Sequence, residues 1–411
     1  MTTEPSHGSH DSSVKSRRLP AFDIMRACAA TLVFIFHYSG FSDAFTVGIP
    51  AIDFMEWFAA RLGNIGTNLL LLLSGFFIAQ SIASGRFTYQ RFVALRLSRI
   101  VLPYLVVLLM AIAAGRFYPR FSRPEAAEAS FTTFLAQLLL LPGLFPDVPI
   151  LTVSWTLSYI IAGYLVFPVV ALTLLHGAAP RPRRLLVWSL VTAFIFLCGL
   201  ADGPLSIRFA YVPAGCLVFE IQSDPASSAR RSGVLRRLLA IAAVFLFLRV
   251  TLDGDILGTA WLPPLRKAIY TLSGLALTAT LIGVALIVQR RYSWLGEIRL
   301  LSLTAGYGRT GYSFYLLHGP VVKVFALLLF PLFAAANAPA LLYWLVMPVC
   351  WAIAAAAAFL LYRLVERPCR GFLMAPPAVP AFSRSGIRLD APAPFPASPP
   401  AHTPARRHPR S

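Results

Sequence analysis

The chain has 411 residues, 57% of them hydrophobic and only 13% charged, with a mean hydropathy of +0.70. A soluble domain of this length needs far more charge to cover its surface, so a soluble globular fold is excluded. The formal charge of +19 invites a nucleic-acid reading. The arginines, however, fall in short stretches between apolar blocks, where the positive-inside rule places them, so nucleic-acid binding is not expected.

The apolar residues come in blocks of about twenty, the length a helix needs to cross the ~30 Å hydrocarbon core. They are apolar all round rather than alternating with a period of two, which favours helices over a barrel. In chain order, residues 1–20 form a polar lead that includes Lys15, Arg17 and Arg18, expected to be disordered and cytoplasmic. Spans follow over about 21–40, 62–82, 97–115, 154–175, 185–200, 208–222, 237–251, 268–289, 311–333 and 339–363. The expectation is an all-α integral membrane protein, a bundle of about ten transmembrane helices with both termini cytoplasmic. Its transmembrane domain covers 21–372, and a disordered tail rich in Pro, Ala and Arg covers 373–411.

The connections support this layout. Those expected in the cytoplasm carry Arg86, Arg91, Arg96 and Arg99, then Arg181, Arg183 and Arg184, then Arg230, Arg231, Arg236 and Arg237, then Arg290, Arg291, Arg299 and Arg309, with Arg367 and Arg370 opening the tail. The outward stretch 116–130 is the exception, with Arg116, Arg120 and Arg123 beside Glu125 and Glu128. The apolar segment 131–150 is broken by Pro142, Pro146 and Pro149 and reads as re-entrant or interfacial on the outer face. No cleavable signal sequence is expected before the first block. The cysteines Cys28, Cys198, Cys216, Cys350 and Cys369 form no CxxC pair, so no disulfide framework and no metal site is expected.

Ionisable residues inside a span are costly and point to function. The first span holds Asp23, Arg26 and His37. Arg26 and His37 are eleven residues apart, which returns to nearly the same helix face about 16 Å further along. Arg26, Ala30, Val33 and His37 therefore form one stripe. The plain structural alternative is an Arg26 that snorkels to headgroups and an interfacial His37. Ser74-Gly75-Phe76 reads as a small-residue packing contact. Arg96 and Arg99, three apart, suit either a positive-inside anchor or a clamp on phosphates. The segment from Gly308 to His318 brings a second intramembrane histidine ringed by tyrosines, and Gly319-Pro320 is expected to kink or open that helix. Lys323 falls near mid-membrane, facing a water-filled cavity or an acidic partner. Glu366 is read as the partner of a nearby arginine.

Taken together, these pieces resemble membrane-bound acyltransferase family 3, the integral membrane enzymes that decorate bacterial surface glycans. The likeness rests on Phe22-Asp23-Ile24-Met25-Arg26 leading to Phe36-His37-Tyr38, which looks like the family's arginine–ten residues–histidine signature. It also rests on Leu73 to Ile78, on Arg96-Leu97-Ser98-Arg99-Ile100 with Pro103-Tyr104, and on Ser154-Trp155-Thr156-Leu157-Ser158 with Tyr164 and Pro168. Arg208 with Phe209 and Gly215, Tyr312 to His318, and Glu366-Arg367-Pro368 complete it. The seven pieces keep the family's order across residues 20–372. Two positions depart: Ile160 stands where the family usually carries a glutamate, and Asn68 where many members are acidic. No hydrolase-like extension is recognised, so a stand-alone acyltransferase is expected.

The resemblance implies transfer of an acyl group, most simply acetyl, from cytoplasmic acyl-CoA to a hydroxyl of an exported glycan or glycolipid at the bacterial cytoplasmic membrane. It implies His37 as general base, and Arg26 and His318 as further catalytic residues. Arg96 and Arg99, with Arg26, would hold the donor, and Trp155, Ser158 and Tyr315 would lie on the acceptor side. The rival reading is a transporter or flippase, or a catalytically divergent member, that handles a lipid-linked glycan; intramembrane charges would line its path equally well.

Overall fold

In the computed structural model, the described residues are 20–40, 50–85, 87–118, 131–144, 149–175, 179–202, 205–223, 231–252, 263–291, 298–336 and 339–369. The expected lead 1–19, the charged part of the outward connection at 119–130, Arg86, Arg230, Arg370 and the tail lie outside them.

Among the described residues the chain is all-helical, with no strands. The elements are α1 Pro20–Ser39, α2 Pro50–Ile82, α3 Tyr89–Phe117, α4 Phe131–Leu138, α5 Ser154–Leu174, α6 Arg181–Leu200, α7 Tyr211–Gln222, α8 Arg231–Leu252, α9 Pro263–Arg291, α10 Arg299–Arg309, α11 Gly311–Leu328, α12 Phe330–Ala335 and α13 Ala340–Leu361. A 3₁₀ turn, Ile207–Ala210, precedes α7, and a π-turn, Tyr362–Glu366, follows α13.

Among the described residues, eight stretches are long and apolar enough to cross a membrane: Pro20–Ser39, Asp53–Ile82, Tyr89–Phe117, Ser154–Leu174, Arg181–Leu200, Pro264–Gln289, Gly311–Ala335 and Leu341–Cys369. The protein is thus a multi-pass membrane protein. The other two expected spans also form helices. However, α7 has only 12 residues, about 18 Å at 1.5 Å per residue, and α8 carries Arg236 and Arg237 in its first turns. The proline-broken segment becomes the 8-residue α4 followed by turns, too short to span.

Contacts fix how the helices run. Phe22 packs on Phe76, 5.0 Å between ring centroids, while Gly66 abuts the carbonyl of Ala29 and Gly63 abuts Phe36, so α1 and α2 are antiparallel. Asn68 donates to the Tyr211 hydroxyl at 2.9 Å, and Phe76 meets Phe219 at 5.3 Å, so α2 and α7 run the same way. Between those contacts Gly75 and Gly215 let the two backbones touch. A Cβ on Gly75 would overlap the carbonyl of Val212, and one on Gly215 that of Leu72. This is the small-residue contact expected of Ser74-Gly75-Phe76.

Helices α1 and α11 are parallel: Arg26 borders Gly311, Phe34 meets Phe314 at 6.1 Å, and His37 meets His318 at 5.2 Å. Helix α13 runs opposite to both. Tyr38 donates to the Tyr343 carbonyl at one end, and Ser313 meets Glu366 at the other.

These directions collect Arg96, Arg99, Arg184 and Arg291 at one end of the bundle with the start of α1, where the Ala21 N–H donates to Gln289 Oε1 at 3.1 Å. Buried Glu220 holds Arg184 there at 2.9 Å and so ties the start of α6 to the end of α7. Of the kink or opening expected at Gly319-Pro320, the opening does not occur: α11 continues through Pro320 to Leu328, and the chain turns at Leu329 before α12. Prolines are tolerated inside spans because neighbouring groups re-satisfy the freed carbonyl.

Candidate active site

Two constellations lie along the Arg26–His37 stripe. Ala30 and Val33, which connect its ends, are buried, so the stripe faces the bundle rather than lipid.

The first lies near the arginine-rich end. A cavity of about 100 Å³ is lined by Arg26, Arg96, Arg99, Ile160, Tyr164, Tyr312 and Tyr315, with Leu70, Phe77 and Ile100 among its apolar walls. Three guanidiniums from α1 and α3 converge there, each in a different state. Arg26 pairs with Asp23 at 2.7 Å and lies over the Phe77 ring at 4.6 Å. Arg99 pairs with buried Glu366 at 3.1 Å. Arg96 lies over Phe92 at 5.3 Å and Tyr164 at 5.4 Å, and among the described residues no carboxylate faces it.

The π-turn at the end of α13 aims Glu366 inward, where its second oxygen accepts from the Ser313 hydroxyl at 2.9 Å. One-turn π segments recur at functional sites because they re-aim a side chain. Tyr312 seals the wall by donating to the Ile100 carbonyl at 2.6 Å.

The second constellation is the histidine pair. His318 is fully buried. Its Nδ1 lies 3.2 Å from the Phe314 carbonyl. A carbonyl only accepts, so Nδ1 carries the proton and Nε2 of the neutral ring is a lone pair. Among the described residues that Nε2 has no hydrogen-bond partner. The ring stacks on Phe314 at 5.9 Å and meets Tyr315 at 5.7 Å. His37 is partly exposed, its ring 5.2 Å from that of His318. In this tautomer His318 offers a proton acceptor, not a donor to an oxyanion.

Tyr315 links the two constellations. It lines the arginine cavity, touches His318, and its hydroxyl donates to Thr156 Oγ1 at 2.9 Å. The remaining acceptor-side candidates are placed less centrally. Ser158 accepts from the Gly143 N–H at 3.1 Å and donates to the Ser154 carbonyl at 3.1 Å, a packing role. Trp155 is covered on one face by Arg208, whose guanidinium carbon lies 4.8 Å from the ring centroid. Lys323 is partly buried on α11. Among the described residues no cluster of three potential metal ligands occurs.

An acyltransferase-domain family model matches residues 19–363, most of the chain. The chain belongs to acyltransferase family 3. No curated protein and no solved structure matches it. It is therefore a membrane acyltransferase, an enzyme that transfers acyl groups other than aminoacyl groups, and a transporter is not needed to account for its buried charges. The arginine–histidine signature of this family member spans both constellations: Arg26 belongs to the cavity and His37 to the histidine pair.

Proposed function

We propose that this acyltransferase takes an acyl group, acetyl in the simplest case, from acyl-CoA at the arginine-rich end and delivers it to a hydroxyl of a surface or exported glycan at the opposite end. The arginine-rich end is then cytoplasmic, the chain crosses a bacterial cytoplasmic membrane ten times, and both termini are cytoplasmic. Arg96 and Arg99 bind donor phosphates, with Arg96 the freer of the two, and Arg26 guides the donor inward. His37 removes the acceptor hydroxyl's proton as that oxygen attacks the thioester carbonyl, and the thiolate of CoA leaves. The lone pair of His318 Nε2, 5.2 Å ring to ring from His37, gives the transferred proton a second site. Arg26 is about 16 Å from His37, too far to touch the same carbonyl, so it serves the donor rather than the oxyanion.

The carrying observation is the His37–His318 pair with the unsatisfied Nε2. A buried lone pair without a donor is costly to maintain and suits a site that receives a proton. The test is thiol release from acetyl-CoA by purified protein in lipid nanodiscs, with bacterial glycans as acceptors. The reading expects release that depends on acceptor and falls about 10²- to 10⁴-fold in His37→Ala. Undiminished transfer by folded His37→Ala would overturn it.

A further inference from the structure

Several cations face a carboxylate: Arg26 faces Asp23, Arg99 faces Glu366 and Arg184 faces Glu220, and near the surface Lys267 faces Asp202 at 2.6 Å. Arg96 does not, and it belongs to the donor cavity. Arg208 is the other case. It sits in the 3₁₀ turn that opens α7, at the end of the bundle away from Arg96 and Arg99, and its side chain is partly buried. The acid nearest in sequence, Asp202, is already taken by Lys267. Among the described residues, no carboxylate pairs with Arg208.

The local geometry holds the Arg208 guanidinium in place. The Ser206 hydroxyl accepts from the Arg208 backbone N–H at 3.4 Å, and Phe209 is wedged against Phe167 at 5.3 Å and Tyr159 at 5.8 Å, which anchors the turn. The guanidinium lies over the Trp155 ring, its central carbon 4.8 Å from the ring centroid. Among the described residues the Arg208 side chain makes no hydrogen bond, so its N–H fork is available to match carboxylate and phosphate oxygens. Next to Trp155, Thr156 accepts from the Tyr315 hydroxyl at 2.9 Å, and Tyr315 touches His318. A half-buried cation over a ring, with no counter-charge among the described residues, is suited to receive one from a ligand.

We propose that Arg208, seated on Trp155, is the anchor for an anionic group of the acceptor. The enzyme then prefers glycans bearing a carboxylate or a phosphate ester to neutral ones. This rests on the acyl-transfer reading above and adds an acceptor class to it.

The test uses the full-length protein in nanodiscs with three oligosaccharides of equal length: one neutral, one containing a uronic acid and one containing a sugar phosphate. Thermal stabilisation by each sugar and the acceptor KM are measured for wild type, Arg208→Lys and Arg208→Gln. The acidic sugars should stabilise the wild type and show an acceptor KM about tenfold or more below the neutral one, the span of a charged hydrogen bond. Arg208→Gln should abolish that preference and leave the acyl-CoA KM unchanged, while Arg208→Lys retains part of it. Which acidic sugar responds identifies the group. Equal responses to all three sugars in wild type, or an equal loss for neutral and acidic sugars in Arg208→Gln, would overturn the proposal. Sugar-dependent stabilisation is read without turnover, so failure of acyl transfer and failure of acceptor anchoring are separable.

Discussion

Glu366 Oε1 lies 3.1 Å from Nε of Arg99, and the carboxylate is fully buried while the guanidinium keeps 26% exposure. Removing the carboxylate leaves a charge in a low-dielectric wall, which costs roughly 3–5 kcal/mol for a buried pair. Glu366→Ala is expected to lower the unfolding temperature in detergent markedly. Glu366→Gln, which keeps the acceptor for Ser313, should be milder.

Arg96 and Arg99 should separate cleanly. Arg99→Ala removes the cation that faces buried Glu366 and should cost stability. Arg96→Ala removes a cation that holds no carboxylate among the described residues and should leave the unfolding temperature close to wild type. Its effect should appear in acyl-CoA binding, with the donor KM raised about tenfold or more and the acceptor KM unchanged.

Gly75 and Gly319 should respond oppositely to alanine. At Gly75 the added carbon meets the backbone of Val212, which cannot yield without moving α7. A loss of about 1–3 kcal/mol, the usual range for overpacking, is expected in thermal unfolding. At Gly319 nothing lies within 4 Å of the added carbon, and Ala is the better helix former by about 1 kcal/mol. Gly319→Ala should be neutral or stabilising.

Ile160→Glu probes the departure at that position. Ile160 lines the cavity with three guanidiniums, so a carboxylate there meets compensating charge beside Arg96. The variant should insert and fold with an unfolding temperature within about 5 °C of wild type. Ile160→Lys, which adds a fourth cation, should not. Circular dichroism melts in detergent distinguish the two.

Much of this arrangement is legible in the sequence because membrane physics is one-dimensional: span length, arginine placement and the Arg26–His37 stripe need only local counting. The partner of Glu366 and the meeting of His37 with His318 need the tertiary arrangement. The two histidines are brought together because α1 and α11 run parallel, which no local pattern encodes. The family order pointed to both histidines but not to their contact. The turn that follows α4, with Leu140 buried at φ 57°, follows from packing and not from hydropathy. Arg208 is present in the motif order, but that no carboxylate among the described residues pairs with it is visible only in the tertiary arrangement.

Under the proposed division of labour, the first helix also acts as a ruler. It holds the charged head of the donor three turns away from the base that attacks its far end. A donor must therefore combine an anionic head with a spacer long enough to reach. Small activated acyl compounds such as acyl phosphates fit the cation cluster by charge, yet place their carbonyl at the wrong depth. Such compounds are excluded by length rather than by affinity, and should act as competitive inhibitors that are never turned over.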